Sequence, residues 1–80
     1  MFIRNVQGDY INTKYIKSLY TQHFPDDYKF RNCVAVIAET EAKEVADYIQ
    51  VFKIENNDTQ TASAKAKEWL DTLVAEINSD

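Results

Sequence analysis

The chain holds a single glycine, proline, cysteine, histidine and tryptophan among its 80 residues. Each scarcity removes a class of function. A lone Gly8 cannot build the glycine-rich loops that cradle phosphates in known nucleotide-binding templates. A lone Cys33 cannot close an internal disulfide, and it stands in no C-x-x-C or Cys-His pattern. One Cys and one His fall short of a tetrahedral zinc site within one chain. No apolar run approaches the roughly 18 residues that span a bilayer, so no membrane association is expected. No charged-then-apolar leader opens the sequence, so no signal peptide is expected. With a single thiol, a reducing cytoplasm is the expected location. No cofactor is expected.

What is present argues for a folded domain. The hydrophobic fraction is 45% and β-branched residues are frequent, which argues against disorder. A chain of this length buries little more than about 60% of the surface that its unfolded form exposes, so residues 1–80 are expected to be one domain with a thin core. The net charge of −4 is unevenly spread. Residues 1–37 carry five Lys/Arg against three acids, giving +2, and residues 38–80 carry four Lys against ten acids, giving −6. An acidic chain repels phosphate backbones at long range, which counts against non-specific nucleic-acid binding.

The strongest pattern lies in Thr59 to Asn78. Ala62, Ala66, Trp69, Leu70, Leu73, Val74 and Ile77 recur at steps of three and four, which predicts one apolar face of a helix. Asp58, Thr59 or Thr61 supplies an N-cap oxygen, and no Glu or Gln completes a capping box. The pairs Lys67/Asp71 and Lys65/Glu68 are spaced to add a few tenths of a kcal/mol each. Trp69, mid-stripe, is expected to be the central core residue. If it is buried, its loss to alanine costs about 3–5 kcal/mol.

Ahead of the helix the pattern is β. Phe2 to Asn5 reads as a short strand with Phe2 and Arg4 on one side and Ile3 on the other. Gly8 can take the positive φ of a tight hairpin returning through Tyr10-Ile11-Asn12. Asn12 to Tyr15 reads as a second turn. Ile16 to Phe24 reads as a strand whose two faces are not cleanly separated. Pro25-Asp26-Asp27 reads as a loop, and Arg31 to Thr40 as a strand whose part Asn32 to Ala38 is nearly continuously apolar, as a central strand would be. Residues 41–54 fit either a helix, with Ala42, Val45, Ala46, Ile49 and Phe52 in a stripe, or a strand. The β-branched and aromatic run Tyr48 to Ile54 favours the strand, in a hairpin turning near Lys43-Glu44. The expected fold is α+β: one antiparallel meander sheet of four to five strands over residues 2–55, packed against a C-terminal helix over 59–78.

The opening run Phe2 to Ile16 and the closing run Ala66 to Asn78 resemble the two ends of many small bacterial proteins of unassigned function. That resemblance implies a sheet followed by a helix and no activity. The element order is also similar to the PC4-like single-stranded-DNA-binding fold, a meander plus one helix that dimerises. The similarity is topological, and no motif residue carries over.

Three kinds of function follow. Arg4, Tyr10, Lys14, Tyr15, Lys17, Tyr20, Tyr28, Lys29 and Arg31 interleave aromatics with cations, as surfaces that bind single-stranded nucleic acid do. The ordinary explanation, tyrosine as a good strand residue with a wet hydroxyl, carries more weight in an acidic chain. His23 and Cys33 are the only candidates for a small enzyme's reactive groups, and both read better as structural residues. Glu39, Glu41, Glu44 and Asp47 form an acidic cluster best explained as a solvated sheet edge. The leading expectation is a non-enzymatic, homodimeric cytoplasmic binding or structural domain. Its dimer would cover an apolar sheet face left open by the helix, with a protein partner as a further option.

Overall fold

The computed structural model describes residues 1–25, 32–40 and 47–79. Its organising element is the most apolar stretch of the chain. Cys33–Thr40 forms a strand, here β4, in which all residues but Glu39 are buried. It is flanked by β3 (Ile16–Phe24) and β5 (Asp47–Glu55), each antiparallel to it. A central strand buried on both faces reads as a continuous apolar run, because neither face offers a side chain to water.

The segment that fitted either helix or strand is a strand from Asp47 to Glu55. The turn expected near Lys43-Glu44, the acids Glu41 and Glu44, and the loop residues Asp26 and Asp27 lie outside the described residues. Both flanking strands carry an irregularity. In β3 the register slips at Lys17, between Ile16/Thr40 and Ser18/Glu39. This is why alternation along Ile16–Phe24 gives no clean faces: the extra residue shifts the period-2 pattern. In β5 the slip falls at Val51, which is buried.

The helix α1 (Thr59–Ser79) lies across all three strands. Asp58 caps it. The Gln60 backbone N–H donates to Asp58 Oδ1 at 3.1 Å, Thr61 Oγ1 donates to Oδ2 at 2.7 Å, and the Asp58 carbonyl accepts the first helical N–H, from Ala62. The Thr61 hydroxyl bond, aided by the N–H groups of Gln60 and Thr61, holds the Asp58 carboxyl below its ordinary range against a smaller opposing effect of desolvation. The helix-surface pairs Lys65/Glu68 and Lys67/Asp71 do not close; the ion pairs among the described residues are Lys17–Glu39 and Lys53–Glu55.

The buried line of the helix is Ala62, Ala66 and Leu73, packed in one cluster with Val34, Val36, Ala38, Val51 and Ile3. Trp69 is not its centre. It lies half-buried on the flank, stacked on Phe52 with ring centroids 4.8 Å apart and planes 15° from parallel. The reason is steric: a helix lies close over a sheet only where the facing side chains are small, and the two alanines provide that.

The chain does not form one meander sheet. β1 (Phe2–Arg4) and β2 (Tyr10–Asn12) pair only with each other, so the strands divide into a two-stranded and a three-stranded sheet. Asn12 causes the division. Its side chain accepts the Lys14 N–H, and Thr13–Tyr15 then makes a single 3-10 turn that redirects the chain before β3. The hairpin is closed by Gly8 at φ 98°, with Asn5 Oδ1 accepting the N–H groups of Gln7 and Asp9. Gly8 is the residue for that φ, since a Cβ there is disfavoured and would sit 3.2 Å from Arg4 Nη2. The hairpin turns its inner side chain, Ile3, into the core, and Val6 N–H reaches the Gln50 carbonyl of β5 at 3.0 Å.

Two outcomes are expected. Ala66→Leu should overpack the helix–sheet contact and lower stability by about 1–3 kcal/mol in urea unfolding; a neutral change would mean that the helix does not sit tightly on β4. Asp58 contributes stability above the ordinary aspartate range, and the contribution is lost as pH falls through its lowered pKa. The stability gap between wild type and Asp58→Asn should therefore shrink between about pH 5 and pH 3. A gap that is constant with pH would contradict the cap.

Candidate interaction surface

A three-stranded sheet has two outer edges, and these differ. The β5 edge is blunted in three ways: it carries Asp47, Lys53 and Glu55, it bulges at Val51, and it accepts the Val6 N–H from the hairpin. Such devices stop an exposed edge from pairing with other chains. The β3 edge shares a bulge, at Lys17, but takes no hairpin contact among the described residues. It is nine residues long, and its only charged residue, Lys17, stands at one end. Lys17 is drawn to Glu39 at 4.0 Å, and Ser18 Oγ donates to the same carboxylate at 2.9 Å. The seven residues Ser18–Phe24 contain no Lys, Arg, Asp or Glu. β4 is the only neighbour of β3 among the described residues.

Beside that edge, on the helix side, lies a groove of about 330 Å³. Ile16 and Leu19 of β3 form its floor, and Val74 and Ile77 of the last helical turns form its wall. Val74, expected in the buried stripe, is 38% exposed there. A second hollow, of about 470 Å³, lies between the hairpin loop and the start of β5 and is lined mainly by polar groups of Asn5, Gln7, Asp9 and Gln50.

The sheet face away from the helix is not the open apolar surface that the sequence suggested. In its centre Ala35 is 0% and Ile37 3% exposed. Small and medium side chains on β4 are flanked in register by Tyr20, Gln22 and Phe24 on β3 and by Gln50 and Lys53 on β5. The large exposed side chains lie elsewhere: Phe2 and Tyr10 on the outer side of the hairpin, Tyr15 on the 3-10 turn, and Tyr48 at the start of β5.

The structure disperses the aromatic and basic set. Arg4 and Tyr10 are register partners on the outward side of the hairpin. Lys14 and Tyr15 are exposed on the 3-10 turn. Lys17 is ion-paired at the β3 bulge, and Tyr20 lies half-buried opposite Ile37 on the far face of the other sheet. Tyr28, Lys29 and Arg31 lie outside the described residues. Arg4 and Tyr10 thus belong to one sheet and Tyr20 to the other.

His23 and Cys33 are likewise separated. His23 pairs in register with Val34 on the helix side, whereas Cys33 pairs with Phe24 and is buried on the opposite face. No Cys–His couple forms. His23 Nε2 instead meets Asn32 Oδ1. Asn32 is buried and donates through Nδ2 to the Asn56 carbonyl at 2.7 Å and to Thr59 Oγ1 at 3.2 Å. Asn32 therefore fastens the start of β4 to the entry of α1, which is a structural task. Glu39 and Asp47 do not assemble a metal site, and none is found among the described residues. No helix of the described residues is long and apolar enough to cross a membrane.

No protein-family model, curated protein or solved structure matches this chain. The open β3 edge did have a sequence signal, the absence of charge from Ser18 to Phe24. That signal has meaning only once β3 is known to be an edge strand.

Asn32→Ala should destabilise the fold by about 1–3 kcal/mol, because partners in a buried polar network lose their bonds. His23→Ala, at an exposed ring, should cost much less. Equal losses in thermal unfolding would contradict this division of roles.

Proposed function

We propose that the protein is a small non-enzymatic domain that works as a homodimer in a binding or structural role. The observation carrying this reading is the side of the molecule where the β3 edge, with no outer strand among the described residues, adjoins a groove lined by Ile16, Leu19, Val74 and Ile77 together with the polar Lys17 and Ser18. An 80-residue chain has a thin core, and a second copy is a common means of enlarging it. A two-fold interface needs only one self-complementary patch, which a single gene supplies. The non-enzymatic part of the reading is supported by the placing of His23 and Cys33 on opposite faces and by the structural use of Asn32.

Light scattering over a concentration series tests the reading. A mass near twice 9.3 kDa at micromolar concentration is expected. A mass of one chain up to millimolar concentration would overturn it.

A further inference from the structure

We infer that two copies join by antiparallel pairing of β3 with β3, which makes one continuous sheet with three strands from each copy. This rests on the homodimer reading above and specifies its geometry. Antiparallel pairing of identical edges requires a two-fold axis perpendicular to the sheet, and we set that axis at Tyr20, the midpoint of Ile16–Phe24. Centred on Tyr20, it places each Tyr20 against the other, Leu19 against Thr21, Ser18 against Gln22, and Lys17 against His23. Aromatic–aromatic and hydroxyl–amide cross-strand pairs are favourable. The two Lys17 side chains stand six residues apart along the seam, about 20 Å, or roughly two Debye lengths. No like charges meet.

The same midpoint register on the other edge is unfavourable. Centred on Val51, β5 against β5 sets Asp47 against Glu55 at both ends of the seam. Directly opposed like charges are destabilising. The Val51 bulge and the hairpin contact to Gln50 further break the ladder there. The edges thus differ: the run Ser18–Phe24 holds no Lys, Arg, Asp or Glu, whereas β5 carries three charges and the hairpin contact at Gln50.

The groove agrees independently. A two-fold axis perpendicular to the sheet puts both helices on one side of the joined sheet. The groove beside each β3 then faces the seam, and the exposed Val74 of each copy is directed toward the other copy's helix side. The occupant is a second copy rather than an unrelated extended segment because the uncharged run Ser18–Gln22 lies against itself with no like charges opposed, beside a groove that ends in the exposed Val74.

The test uses the full chain with Thr21→Lys and Gln22→Lys together. Both positions are exposed, so the monomer should keep its fold, checked by circular dichroism. Tyr48→Lys, at the β5 edge, is the control. The wild type and Tyr48→Lys should scatter as dimers and the double variant as a folded monomer. A folded, dimeric double variant would overturn β3 pairing while leaving the homodimer reading in place. A monomeric wild type would overturn both. Should the double variant not fold, wild-type protein mixed from two isotope labels decides: intermolecular nuclear Overhauser contacts along Ser18–Gln22 support the pairing, and their absence in a dimer of confirmed mass overturns it.

Discussion

The structure depends on the approach of α1 to β4 through Ala62 and Ala66, both 0% exposed. Two alanines bury little area by themselves. Their importance is that they let the helix settle over Val34, Val36 and Ala38, so that Leu73 enters the core and Trp69 is displaced to stack on Phe52. Larger side chains at either position would lift the helix, and the flank contacts would separate with it. The network of Asn32, Asn56 and Thr59 fixes where the helix begins, and the Asp58 cap fixes how. Position along the sheet and distance from it are thus set by different residues.

Much of this was legible in the sequence. The helix pattern gives its limits to within a residue, because the amphipathic run is long and bounded by Asn56-Asn57-Asp58; which of Asp58, Thr59 and Thr61 caps it is settled by the bonds to Asp58. Ile16–Phe24 was legible as a strand, Gly8 as the positive-φ turn, and Tyr48–Ile54 as strand through its β-branched and aromatic residues. Three features were not. The division into two sheets hangs on one Asn12 side chain and a single 3-10 turn, which no periodicity announces. The centre of the helix stripe was misplaced because residue size, read alone, points to Trp69, whereas close packing selects alanine. The covered state of Ala35 and Ile37 depends on cross-strand neighbours, which register determines and sequence order does not.

The surface followed the same rule. Of the residues chosen for chemical type, the tyrosines and cations, those described lie over two sheets and a turn. The feature with a coherent geometry is an absence of charge along one strand. Nothing in Ser18–Phe24 is unusual until β3 is seen to have no outer strand among the described residues. Both edges bulge, but β5 carries three charges and a hairpin contact that β3 lacks among the described residues. Among the described residues, the proposed pairing would complete the sheet at that edge.

Amide hydrogen exchange of the wild-type chain at two concentrations, one well above and one well below self-association, tests that claim most directly. Backbone amides of Ser18–Phe24 that gain protection at the higher concentration, while those of β5 do not change, are the predicted result. Outward β3 amides that exchange at the same fast rate at both concentrations would contradict it.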